Sequence, residues 1–160
     1  MKKILFITAI LVAFGVSVSA QGVYDFNDGS WGDFVTERPE SGSYTTTTVN
    51  DVKFDNAMLY QKDGKGSKRV LVDKSSKKSN IEFPAFTSAK EVVITGSTGT
   101  EGRTLVVEQK KGNKWVAIGE PVELTKQKAE DKVEIPEGVT QIRISNGSSS
   151  SLTIYKVIIK

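Results

Sequence analysis

After residue 20 the chain alternates apolar and polar positions in short runs, each cut off by glycine, asparagine, aspartate or serine. A period of two places successive side chains on opposite faces of a pleated strand, so each run predicts a strand with one face buried. The runs fall at 23–26, 52–54, 58–61, 69–72, 80–83, 91–95, 103–109, 114–118, 122–124, 132–135, 139–145 and 152–159. In the run 139–145, Ile142 and Ile144 share one face, while Gln141, Arg143 and Ser145 share the other. The last run departs from this pattern: Leu152, Ile154 and Ile158 lie on one parity and Tyr155, Val157 and Ile159 on the other. Apolar residues on both parities predict a strand that is central in its sheet or bulged. Pro84, Pro121 and Pro136 sit at the edges of runs, where a missing N–H costs least. Helical periodicity is essentially absent after Ala20.

The separators carry their own information. Asp63-Gly64-Lys65-Gly66, Lys111-Gly112-Asn113, Pro136-Glu137-Gly138 and Asn146-Gly147 supply the residues that tight turns demand. Stretches 36–48 and 145–151, rich in serine, threonine and glycine, read as mobile. Many short strands at this spacing predict an all-β fold, an antiparallel β-sandwich of jelly-roll type, formed by a single domain over residues 21–160.

Residues 1–20 have a different character. Lys2 and Lys3 precede an apolar stretch at 4–16, and Val18-Ser19-Ala20 offers a small-residue cleavage site before Gln21. This is the pattern of a secretory signal peptide. The apolar stretch is shorter than the ~20 residues a membrane span needs, so a secreted or periplasmic protein with no membrane span is expected. The absence of cysteine removes disulfides, a thiol nucleophile and a lipid-attachment site. The absence of histidine removes the commonest general base and metal ligand. Of the 22 basic residues, Lys2 and Lys3 leave with the leader, against 19 acidic ones. A nearly neutral chain lacks the basic footprint that nucleic acid requires.

Candidate chemistry is sparse. Gly96-Ser97-Thr98-Gly99-Thr100-Glu101-Gly102 lacks the Gly-Lys-Ser/Thr that opens a helix in a phosphate-binding loop, and reads as a flexible hairpin loop. Asp25-Phe26-Asn27-Asp28-Gly29 lacks the alternating oxygen ligands of an EF-hand, and reads as a turn with a capping aspartate. Lys62, Lys65, Lys68, Arg69, Lys74, Lys77 and Lys78 form a basic cluster relieved only by Asp63 and Asp73. If the flanking runs pair, these cations converge on one rim that could hold an anionic polymer. The same charges on a solvated face would guard an edge strand against aggregation. Trp31, Trp115, Tyr44 and Tyr60 are the aromatics on which a pyranose could stack. Trp31, in Gly29-Ser30-Trp31-Gly32-Asp33, is expected to be exposed, and Trp115, on a strand, to pack in the core. The carboxylates mostly stand beside lysines and read as surface charge rather than as a glycosidase pair.

Three segments carry a family resemblance: Asp25-Phe26-Asn27-Asp28-Gly29-Ser30-Trp31-Gly32, Lys114-Trp115-Val116-Ala117-Ile118, and Ser151-Leu152-Thr153-Ile154-Tyr155-Lys156-Val157-Ile158-Ile159. Their frame resembles the galactose-binding-like, carbohydrate-binding jelly-roll modules of secreted Bacteroidetes proteins. The resemblance implies a sandwich fold and a saccharide ligand. Many such modules hold a structural calcium between the first strand and an acid in the last. Asp25 or Asp28 would match the first part, but Tyr155-Lys156 stands where the acid would be, so no metal or other cofactor is expected. The resulting expectation is a non-catalytic module that binds polysaccharide, acidic where the basic rim takes part. Its ligand residues would be Trp31, Tyr44, Tyr60, Lys62, Lys65 and Arg69. Two alternatives remain open. One is a protein-interaction or structural sandwich with no saccharide, marked by an exposed apolar sheet surface. The other is a polysaccharide lyase or hydrolase, which needs Tyr, Lys or Glu gathered in a deep cleft.

Overall fold

The computed structural model describes residues 21–40 and 42–160, so the leader expected at 1–20 lies outside the described residues. The strands are β1 (Gly22–Asp25), β2 (Thr47–Val49), β3 (Val52–Asp55), β4 (Ala57–Tyr60), β5 (Arg69–Val72), β6 (Asn80–Glu82) and β7 (Glu91–Ser97). They continue with β8 (Arg103–Lys111), β9 (Lys114–Ala117), β10 (Val122–Leu124), β11 (Ala129–Glu134), β12 (Ile142–Asn146) and β13 (Leu152–Ile159). Two antiparallel sheets face each other as a sandwich. The six-stranded sheet has the order β11-β7-β13-β5-β4, with β1 also on β13. The seven-stranded sheet has the order β10-β8-β12-β6-β3-β2, with β9 also on β8. From β6 onward the chain crosses repeatedly between the sheets, as in a jelly roll. The glycine-rich segment after Gly96 is one of these crossings, between β7 and β8 in opposite sheets, and not the hairpin its composition suggested.

The core lies between the sheets. Phe54, Ile81, Leu105, Val107, Ile142 and Ile144 enter it from the seven-stranded sheet, and Val70, Val72, Val92 and Ile94 from the six-stranded one. The double parity of the last run has a simple cause. Ile154 stands opposite Gly96 and Lys156 opposite Thr95, so Tyr155 is the extra residue of a β-bulge. The bulge resets the alternation, and Leu152, Ile154, Val157 and Ile159 are all buried. As expected, β13 is also central, with β7 on one side and β5 and β1 sharing the other.

Both stretches expected to be mobile are tied down. Val35 extends the free edge of β4 through a parallel bridge to Tyr60, its N–H donating to the Leu59 carbonyl at 3.0 Å. Farther along, the Gly42 N–H donates to Asp73 Oδ2 at 2.8 Å and Arg38 Nη2 to Ser151 Oγ at 3.1 Å. The stretch ends by forming β2, a strand whose threonines had hidden it inside a loop-like composition. In the second stretch, Asn146 Nδ2 donates to the carbonyls of Asp73 at 2.7 Å and Ser150 at 2.8 Å, while its Oδ1 accepts from the Ser148 N–H at 2.7 Å. Serine and asparagine here satisfy backbone groups, which fixes a loop that composition alone presents as loose.

Candidate functional site

The aromatics change places relative to expectation. Trp31 is only 3% exposed and belongs to the core. Asp28 caps the 3-10 turn Gly29–Trp31 by accepting the Ser30 N–H at 2.8 Å, in keeping with the capping role read from sequence. The Ser30 hydroxyl, the Ser30 N–H and nearby Lys68 together hold the Asp28 carboxyl below its usual pKa. The turn sends the indole inward, 4.7 Å from the Phe26 ring centroid and 6.2 Å from that of Phe54. Its Nε1–H donates to the Asp25 carbonyl at 2.8 Å, so burial leaves no orphan donor. A glycine-flanked loop thus serves to turn a large ring into the sandwich, and the exposure expected of Trp31 is corrected.

Tyr44 and Tyr60 are buried as well, at 4% and 6% exposure. They form a small second cluster with Met58 and Leu71, separate from the main core. The β4–β5 register sets Arg69 opposite Tyr60, and its guanidinium lies 5.1 Å over the Tyr60 ring. The structure therefore brings Tyr44, Tyr60 and Arg69 together but leaves neither ring free for a sugar. Lys62 and Lys65 stand exposed in the turn between β4 and β5. Lys68 covers the Phe34 ring at 4.9 Å. Lys74, Lys77 and Lys78 lie beyond the opposite end of β5, so the single basic rim is corrected to two groups divided by a strand.

Trp115, expected in the core, is instead half-buried on the outer face of the seven-stranded sheet. It sits opposite Lys110 on β8, whose ammonium is 5.7 Å from the ring centroid. The Arg143 guanidinium lies 4.8 Å from the same centroid. Arg143 is held flat by a bidentate pair with Glu108, Nε to Oε2 at 2.6 Å and Nη2 to Oε1 at 3.0 Å. Ser145 Oγ adds a third bond to Glu108 Oε2 at 2.8 Å. Register carries the pattern across the sheet, with Glu108 opposite Arg143, Arg143 opposite Glu82, Glu82 opposite Lys53 and Lys53 opposite Thr48. From β9 to β2 this alternating row spans roughly 24 Å at the usual strand spacing. It is an open polar strip with an aromatic plate at one end, able to hydrogen-bond and stack along an extended chain.

Part of this face was legible. Arg143 and Ser145 were assigned to the face opposite Ile142 and Ile144, and that is where they lie. The same argument, applied to β9, would have found Trp115: Ile118 is buried, so Trp115, three residues earlier, takes the opposite parity. Lys110, Glu108 and Glu82 gave no local signal, because only strand pairing gathers them.

A groove of about 510 Å³ lies between the start of β1 and residues 84–87, lined chiefly by Gln21, Tyr24, Pro84, Phe86, Thr87 and Ile159. Burial pushes the Tyr24 phenol pKa upward. No charged side chain lines this groove. At the other end of β1, Lys156 Nζ lies 3.4 Å from Asp25 Oδ2, so an ammonium occupies the flank of the carboxylate that a calcium would need. Among the described residues no three His, Cys, Asp or Glu side chains gather as a metal site, and no helix is long and apolar enough to cross a membrane.

No protein-family model matches the chain. No curated protein matches it either. Among solved structures, the chain is similar to the C-terminal CBM6 of LamC, a marine laminarinase from Zobellia galactanivorans, with 11% sequence identity and a TM-score of 0.42 over 87% of this chain and 100% of that one.

Proposed function

We propose that the protein, once residues 1–20 are removed, works outside the cytoplasm as a non-catalytic glycan-binding protein, seating a saccharide chain along the outer face of its seven-stranded sheet. The observation that carries this reading is Trp115, a large ring left half-buried on a flat polar sheet while every other tryptophan and tyrosine near the expected site is packed away. The apolar face of a pyranose stacks on such a ring, and the neighbouring Arg143, Glu108 and Ser145 offer polar edges to its hydroxyls. The two carboxylates flanking Arg143 are engaged, Glu108 by Arg143 and Ser145, and Glu82 by Gln141 at 3.0 Å, which favours recognition over acid–base chemistry. Lys62 and Lys65 belong to the other sheet and take no part in this seat. The exposed large apolar side chains, Val23, Val35 and Val116, are scattered over three separate elements, so no apolar sheet surface favours a protein partner.

Affinity electrophoresis through gels carrying a panel of neutral and acidic polysaccharides tests the reading. At least one polymer is expected to retard the protein, and Trp115→Ala is expected to weaken that retardation about tenfold or more, equivalent to ~1.4 kcal/mol. Retardation unchanged by Trp115→Ala, or none on any polymer, overturns the proposal.

A further inference from the structure

We infer that the ligand of the Trp115 face is anionic, a polysaccharide bearing carboxylates or sulfate esters, and that Lys110, on the same face as the ring, reads its charge. This deepens the glycan reading and rests on it. Lys111 and Lys114, on the opposite parity at the tip of the same hairpin, add to the positive field there. The three lysines belong to the hairpin of β8 and β9, closed by Gly112-Asn113, in which Gly112 takes the positive φ of 58°. The register sets Lys111 directly opposite Lys114 and Lys110 directly opposite Trp115. Like charges facing each other across a ladder destabilise it. Among the described residues none of the three has a carboxylate within ion-pair distance.

Among the described residues four cations elsewhere have a carboxylate within ion-pair distance. Lys53 meets Asp55, Lys156 meets Asp25, Lys160 meets Glu91 and Arg143 meets Glu108. The hairpin sets three cations without such a partner beside the half-buried ring of Trp115. Arg143 adds no uncompensated charge, since Glu108 balances it through two of its N–H groups. It serves as a rigid wall for the ring. Lys110 is placed to act, because a sugar on the indole would set its substituents beside an ammonium 5.7 Å from the ring centroid. Lysines on the edge strand β9 also discourage edge-to-edge pairing. That role is blind to ligand charge, which makes the two separable.

The test uses polymers matched in backbone but not in charge: polygalacturonate against its methyl ester, carboxymethylcellulose against hydroxyethylcellulose, and sulfated carrageenan against agarose. For at least one pair the anionic member is expected to bind about tenfold more tightly, and the excess to vanish as salt rises from roughly 50 to 500 mM. Whether the carboxylated or the sulfated pair responds identifies the anion. The variant Lys110→Gln/Lys111→Gln/Lys114→Gln is expected to bind both members of the pair equally. Lys110→Gln alone, the milder change, is expected to lose part of the excess with an unchanged melting temperature. Equal binding of both members by the unmodified protein, or a triple variant that keeps the excess, overturns the charge assignment and leaves the glycan reading standing. No binding to any polymer overturns both. Tighter binding of a single-stranded thymidine oligonucleotide than of every anionic glycan overturns the assignment of the face to saccharide.

Discussion

Trp31 and Trp115 show how little a residue type says about its task. Trp31→Ala removes a ring packed on Phe26 and Phe54, and is expected to cost about 3–5 kcal/mol in urea unfolding. Trp115→Ala, at a partly solvated site, is expected to cost less than half as much, while weakening the proposed saccharide binding about tenfold or more. Asp131 offers a second contrast. It stands opposite Ile94 on the inward parity of edge strand β11, where desolvation raises its pKa. A carboxyl whose folded pKa lies above its unfolded value holds its proton to higher pH when folded. Stability therefore falls as pH rises from the ordinary carboxylate range through the raised value. Asp131→Asn is expected to melt about a degree or two higher than the parent at pH 7, and at the same temperature near pH 3 where both are neutral. An inward charge on an edge also discourages a further strand from joining, so this cost has a use.

Elements were legible where the signal was local. Alternation in Ile142-Arg143-Ile144-Ser145 named both the strand and its faces, and the runs 69–72, 122–124 and 152–159 match β5, β10 and β13 to the residue. Recognition failed where the deciding fact was a partner. Nothing within Thr47–Val49 shows that it lies along β3, and nothing within Lys114–Ala117 shows which side of β8 the indole will take. The bulge in β13 makes a sharp prediction. Removing Tyr155 converts the strand to a regular one in which Leu152, Ile154, Val157 and Ile159 still face the core, so the deletion is expected to fold and melt cooperatively. Removing Val93 from regular, central β7 puts either Val92 or Ile94 on the wrong face, and that variant is expected to be insoluble. Solubility and near-ultraviolet circular dichroism of the two deletions distinguish these outcomes.

At the scale of the molecule, the two-sheet class followed from counting strands, but the crossings did not. A chain that crosses repeatedly between sheets from β6 to β13 uses the same local patterns as one built wholly from hairpins. The crossings depend on which buried faces meet, a property of the assembled core. They also give β13 a singular position: after the other described strands in sequence, it forms the middle of its sheet, bordered by β7, β5 and β1. Until residues 152–159 have been synthesised, β5 and β7 have no neighbour between them, and β1 has no strand to pair with. The six-stranded sheet thus cannot close before residues 152–159 are available, and a chain halted anywhere ahead of Leu152 carries two open edges. Nascent chains held on the ribosome with β13 still inside the tunnel should be fully digested by protease, and should become resistant once β13 has emerged.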